Sequence, residues 1–161
     1  MRKILVFSGA EMSAGSGLKT FRDNDELWGN YRVEEVATPQ AWKANPGMVL
    51  HFYNLRRRQL LQAKPNAARH LISKLEIKYD VTVITPNIDN LHEHAGSNKV
   101  LHLHGELKKV KCEKLEHPIY DWNKPDLNLG VLCERGKQLR PHLVWFGEEV
   151  PMMSAAIKIA Q

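Results

Sequence analysis

An almost continuously apolar run, Lys3–Ser8, breaks at Gly9 into a stretch rich in Gly, Ala and Ser that extends to Gly17. Apolar residues at successive rather than alternate positions mark a strand buried in a parallel sheet. Parallel strands need long crossovers, usually helices, and the sequence supplies them in order. Thr38-Pro39 opens a helix with Thr as cap and Pro at the first helical position. Pro46 begins another that runs to about Gln62 and carries Met48, Val49, Phe52, Leu55, Leu60 and Leu61. Pro65–Tyr79 predicts a third, with Ala68, Leu71, Ile72 and Leu75 at core-facing spacing. Val81–Thr85 and Val100–Leu103 read as further strands, separated by a brief helix, Leu91–Ala95, that Gly96 ends. Strand and helix in alternation predict an α/β fold with a parallel sheet. Residues 108–138 lose the pattern and predict a small module or long loop, followed by the apolar run Leu143–Phe146 and a helix from Met152 to Ala160.

The chain's 161 residues suit one domain with a real core, and 43% hydrophobic with 25% charged residues is ordinary for a globular protein. No apolar run approaches the roughly 20 residues that span a bilayer. The basic start at Arg2-Lys3 leads into a turn rather than a cleavage site, so a cytoplasmic protein without a signal peptide is expected. The net charge of +5 shows in Arg56-Arg57-Arg58 and in Lys108-Lys109-Val110-Lys111, read as solvated basic faces. Nucleic acid is the weakest of the partners such charge suits, because no recognition motif accompanies it. Two cysteines, Cys112 and Cys133, make no disulfide framework, and reduced thiols are expected.

A Gly-rich turn between strand and helix exposes backbone N–H groups at a positive dipole end, which favours a phosphate. Ser8–Gly17 has that character without the usual dinucleotide spacing; taken by itself it is equally a tight turn of small residues. Asn87 and Asp89, two apart just after a strand, point roughly the same way where α/β folds bind ligands. His104 follows a strand beside His102, and a histidine there serves either as hydrogen-bonded structure or as a general base. Tyr53 and Arg56 are three apart on one predicted helix face, as packing plus solvated charge or as a converging pair.

Four segments in order carry a more specific signal: Gly9-Ala10-Glu11-Met12-Ser13 with Ser16-Gly17-Leu18-Lys19-Thr20-Phe21-Arg22-Asp23, then Asn87-Ile88-Asp89, then Leu101–Leu107 around His104, then Leu139-Arg140-Pro141-His142-Leu143-Val144-Trp145-Phe146-Gly147-Glu148. Together they resemble the sirtuins, NAD-dependent protein-lysine deacylases. The resemblance implies a partial catalytic domain over residues 1–161 with a Rossmann-like sheet. It implies transfer of an acyl group from lysine to ADP-ribose with release of nicotinamide, on acyl-lysine proteins or peptides. Gly9, Ala10, Ser13, Thr20, Phe21, Arg22, Asn87, Ile88 and Asp89 would hold NAD. His104 would be the base, Asn87 would position ribose or water, and Asp89 would hold the nicotinamide amide. Val144, Trp145, Phe146, Gly147 and Glu148 would pair with substrate backbone as a strand. Tyr53-Asn54-Leu55-Arg56, with Ala37-Thr38-Pro39 upstream, resembles the branch that removes succinyl groups, in which Tyr and Arg read the acyl carboxylate.

The chain also departs from that pattern. Where many sirtuins carry two Cys-x-x-Cys pairs, Cys112 and Cys133 each stand alone with 20 residues between them; His117 could add a third ligand but there is no good fourth, so no zinc is expected. Glu11 stands where Gly is usual, adding a carboxylate beside the expected phosphate and strain if the position needs positive φ. Pro86 replaces Gln, removing a donor beside Asn87. The sequence stops at Gln161, where the family continues with further strands, so an incomplete sheet with an exposed edge is expected. An impaired remnant that binds NAD or peptide, or ADP-ribosyl transfer, are the alternatives these departures leave.

Overall fold

The computed structural model describes residues 1–20, 31–113 and 118–161. Phe21, Arg22 and Asp23 of the predicted nucleotide loop, and His117, lie outside the described residues. Three parallel strands form the first sheet in the order β1-β2-β3: β1 (Lys3–Phe7), β2 (Asp80–Thr85) and β3 (Val100–His102). The register pairs Phe7 with Ile84 and Thr85 with His102. The crossover from β1 to β2 contains α1 (Ala10–Ala14), α2 (Val33–Val36), α3 (Pro39–Ala44), α4 (Pro46–Gln62) and α5 (Ala67–Leu75); α6 (Leu91–His94) lies between β2 and β3. A second, antiparallel sheet has the order β5-β4-β6, from β4 (Gly105–Cys112), β5 (Ile119–Asp121) and β6 (Leu139–Leu143), and α7 (Met153–Ala160) follows.

Helix starts follow the local chemistry. Thr38 Oγ1 accepts from the Ala41 amide at 3.1 Å, Asn45 caps α4 through the Met48 amide, and Asn66 caps α5 through the Arg69 amide. The main core sits between α4 and the antiparallel sheet, where Val49, Phe52, Tyr53 and Leu60 meet Leu107, Val110, Leu127 and Leu139. Within the segment 108–138, expected as a small module or long loop, the end of β4 and all of β5 are strand and most other described residues are turn or coil. Its polar strands escaped the sequence pattern because β4 alternates Lys with inward Leu107, Val110 and Cys112.

Three expectations about burial are corrected. β1 alternates between exposed and half-buried, with Leu5 43% and Phe7 69% exposed, because it is an edge strand here rather than a central one. On α5, Leu71 is 63% exposed while the buried residue is Arg69, so the face turned inward is polar. Arg57, read as part of a solvated basic run, is buried to 1% exposure: its guanidinium donates to Leu107 O, Asn54 Oδ1 and Pro125 O, tying α4 to the small sheet. On the same helix, Leu55 and Leu61 are exposed.

Candidate functional site

The loops at one end of the parallel sheet open onto a cavity of about 770 Å³. Every described residue singled out from the sequence lines it: Gly9, Ala10, Ser13 and Thr20 from the first loop, Asn87, Ile88 and Asp89 after β2, and His104 after β3. Tyr53 and Arg56 of α4 and Val144–Glu148 after β6 line its other wall.

Strand pairing sets the loop positions, and side chains then lock them. Thr85 Oγ1 donates to Ser8 O at 2.9 Å and accepts from the Asn87 amide at 3.1 Å, so the ends of β1 and β2 are stitched together. Asn87 Nδ2 donates to Gly9 O at 2.8 Å. Pro86 has no N–H of its own, and beside it the Asn87 amide is held by Thr85. Gly105 has φ near +80°, and a Cβ there would meet His142 O at 2.1 Å. Only glycine allows β4 and β6 to approach this closely beside His104.

His104 is half-buried, and burial lowers its pKa while a hydrogen bond to the Pro86 carbonyl offsets part of the effect. The ring N–H that donates to that carbonyl leaves the other nitrogen as a neutral base near pH 7. Asp89 is 4% exposed. Arg69 Nη2 reaches its Oδ1 at 2.9 Å, the Leu91 amide reaches the same atom at 3.1 Å, and Ser13 Oγ donates to Oδ2. A carboxylate has about four acceptor positions, so roughly one remains for a ligand amide. Arg69, missed in the sequence because it interrupts an apolar helix pattern, also donates to Met12 O and Ser16 Oγ. Burial lowers its pKa and Asp89 partly restores it.

On the opposite wall, Arg140 grips Glu148 with both terminal nitrogens, at 2.8 and 3.1 Å, and its guanidinium lies 3.4 Å from the Trp145 ring centroid. Burial opposes the Glu148 charge, but Arg140 and the Trp145 amide outweigh it and hold the carboxyl below its usual range. Trp145 Nε1 donates to Tyr53 Oη at 3.1 Å, and burial raises the Tyr53 pKa. Val144–Glu148 follows β6 outside its ladder and turns at Phe146-Gly147. The amides of Val144, Trp145, Phe146 and Glu148 donate to His104 O, Glu148 Oε2, Ala37 O and Trp145 O, which leaves few donors for a peptide backbone.

Glu11 sits in the first turn of α1 with helical rather than positive φ, so the conditional strain does not arise. Its side chain is exposed, and Gly9 faces open space where a Cβ would meet nothing within 4 Å. Asp89 and Glu148 are paired with arginines, and Lys19, Arg56 and Glu11 also line the cavity. Size and the open backbone at Gly9 fit a phosphate-bearing ligand. Cys112 and Cys133, distant in sequence, face each other at 3.0 Å between sulfurs, both buried; with two cysteines in the chain a four-cysteine site cannot be built. Glu93, His102 and Glu106 bring ligand atoms within 4.8 Å of one another, but Lys109 already pairs with Glu106 at 2.7 Å.

No helix among the described residues is long and apolar enough to cross a membrane. Comparison with known proteins agrees with the geometry. The family model described as Sir2 family matches residues 9–161. A Helicobacter pylori protein named NAD-dependent protein deacylase is 52% identical over 161 residues, covering 100% of this chain and 70% of that protein. One of the same name from Bacteroides thetaiotaomicron is 47% identical, with 100% and 71% covered. A solved Sir2 homologue–NAD complex superposes with a TM-score of 0.84 at 37% identity, over 99% of this chain and 62% of that one. A Sir2 structure with 2′-O-acetyl-ADP-ribose and a deacetylated p53 peptide does so at 0.71 and 30%, over 99% and 64%. The chain thus spans about 70% of these curated relatives and under two thirds of these solved chains. The match across nearly the whole sequence, and the gathering of all four motifs around one cavity, make this chain a member of the Sir2 family.

Proposed function

We propose that the cavity serves NAD-dependent protein-lysine deacylation, moving an acyl group from lysine to ADP-ribose with release of nicotinamide. The observation that carries this reading is the convergence of Asn87, Asp89 and His104 on the space bounded by the Gly9–Thr20 loop. Gly9, Ala10, Ser13 and Thr20 would hold NAD, with Phe21 and Arg22 contributing from the segment outside the described residues. When bound, NAD would supply a ribose carbon that the acyl carbonyl oxygen bonds as nicotinamide leaves, so that a ribose hydroxyl can take the acyl group and the lysine amine depart. His104, neutral and half-buried, takes a proton from the ribose hydroxyl. The Asn87 carboxamide, held against Gly9, orients ribose or water, and the remaining acceptor position of Asp89 takes the nicotinamide amide. Acyl-lysine peptides lie against the Val144–Glu148 turn through its carbonyls and the exposed Phe146 ring. A cytoplasmic setting, with Cys112 and Cys133 as thiols, belongs to the same reading.

We further assign desuccinylation to Tyr53 and Arg56. Both line the cavity, Tyr53 Oη accepts from Trp145 and has its own O–H to donate, and Arg56 donates to Lys19 O at 2.6 Å with a planar guanidinium of the shape that pairs with a carboxylate. The test is NAD titration of the full chain by calorimetry, followed by nicotinamide release with acetyl- and succinyl-lysine peptides. Binding in the micromolar to millimolar range and acyl-dependent release are expected. No heat of binding would end the proposal for this polypeptide.

A further inference from the structure

His102, next but one to the proposed base, is 8% exposed and does not line the cavity, yet it touches the loop that does. Its Nδ1 lies 2.8 Å from the carbonyl oxygen of Asn87, and its Nε2 lies 2.8 Å from Oε1 of Glu93 on α6. A carbonyl oxygen can only accept, so Nδ1 carries a proton. An ionised carboxylate can only accept as well, so Nε2 carries one too. The two contacts together require an imidazolium that donates at both ends.

The consequence is mechanical. Asn87, Asp89 and Glu93 lie on one stretch of chain, from the end of β2 to α6, and His102 reaches across from β3 to grip both ends of it. With Thr85 Oγ1 holding the Asn87 amide and Gly9 O holding the Asn87 carboxamide, the third polar group of this residue, its carbonyl, is fixed by His102. We propose that His102 is a positioning residue: as a doubly donating imidazolium it ties Asn87 to Glu93 and holds the Asn87–Asp89 loop in the shape that faces the cavity.

Charged neighbours support the protonated state. Burial works against it, but Glu93 of α6, the Asn87 carbonyl and Glu106 of β4 outweigh burial and raise the His102 pKa. His92 of α6 is held neutral by burial, and Lys109 of β4 is occupied by Glu106. Because the folded pKa is raised, the clamp is fully present below the ordinary histidine value and is lost as pH rises through the folded value. Loosening therefore falls on the alkaline side. His104, whose pKa is lowered, changes charge on the acidic side, so the two histidines separate in one titration.

The inference rests on the proposed function only for its consequence in binding; the clamp itself is read by nuclear magnetic resonance on the full chain. At pH 7 both His102 ring nitrogens are expected to have imidazolium shifts, and the Asn87 carbonyl carbon is expected to titrate with the same midpoint. A neutral His102 at pH 7, or an Asn87 carbonyl that does not follow it, overturns the proposal. In calorimetry, NAD affinity is expected to fall about tenfold on the alkaline side. In His102→Gln, which has no titrating charge and cannot donate at both ends, affinity is expected to sit about tenfold lower at every pH and the alkaline fall to disappear; an unchanged alkaline slope refutes the clamp. Glu93→Gln, which removes the carboxylate and keeps the shape, shifts the His102 midpoint down and supplies the same decision if His102→Gln does not fold. Should NAD bind at no pH, deacylation has failed and the carbonyl titration alone decides the clamp.

Discussion

The end of the parallel sheet and the small antiparallel sheet are built on opposite principles. Around the cavity, Arg69, Asp89, Ser13, Asn87 and Thr85 are buried polar groups joined by long-range hydrogen bonds. In and beside the β5-β4-β6 sheet, Leu107, Val110, Leu127, Leu139 and the Cys112–Cys133 pair are buried apolar and sulfur groups in one core with α4. Hydrogen bonds and charge pairs are directional, so they define where a loop sits; apolar contact is not, and it stabilises without aiming anything. One region orients groups toward a ligand. The other supplies the burial that keeps the wall standing, with Arg57 and Asn54 as buried polar bridges from α4.

That contrast can be broken most sharply at Arg69. Arg69→Met leaves Asp89 buried without its cation, and a loss of about 3–5 kcal/mol in denaturant unfolding is expected, along with NAD binding. If stability barely changes, the buried pair is not what holds the loop. Leu127→Ala, at 0% exposure in the core beside the small sheet, is expected to cost about 2–4 kcal/mol, but with little change in NAD affinity per folded molecule. A parallel loss of affinity would erase the distinction between the regions.

Acid provides a milder probe of the same sheet. Burial first, then Lys111, Lys109 and Arg140, push His142 down to about 4. A depressed folded pKa means stability present above the unfolded value and lost as pH falls from about 6.5 toward 4, worth roughly 1–2 kcal/mol by pH 5. Amide exchange in β4 and β6 should quicken there, and His142→Gln should flatten the effect. For the acyl pocket, Arg56→Met should reduce desuccinylation about ten- to a hundredfold, the scale of a charge-assisted hydrogen bond, while deacetylation changes less; equal losses would show Arg56 to be structural. The smallest effect is at Glu11, whose exposed carboxylate is screened by water. Glu11→Gly should raise NAD affinity roughly fivefold, about 1 kcal/mol, and no change would remove it from the phosphate site.

Several elements were legible because their signals are local. Thr38-Pro39 and Asn45-Pro46 start helices through bonds within four residues, and the apolar run before Gly9 names a strand whatever surrounds it. The Ala10–Ser13 turn, Asn87, Asp89 and His104 were likewise readable as motifs. Arg57 and Arg69 were not. A buried arginine is indistinguishable from a surface one until carbonyls from other elements are brought to it: Leu107 and Pro125 for Arg57, Met12 for Arg69. Leu71 and Leu75 have helical core spacing, yet which face of α5 turns inward was settled by Arg69 reaching Asp89.

Sequence by itself determined the α/β order, the family and the residues that line the cavity, since each depends on residue type and short spacing. Tertiary structure decided the rest: that β4, β5 and β6 form a sheet, that Cys112 meets Cys133, and that four amides of Val144–Glu148 bond within the chain. It also divided the two histidines. His102 and His104 are the same residue type two positions apart, and only the groups folded against them, a carboxylate and two carbonyls, make one a charged clamp and leave the other a neutral base. A proton's position depends on electrostatic neighbours from other elements, and those neighbours do not exist until the chain has folded.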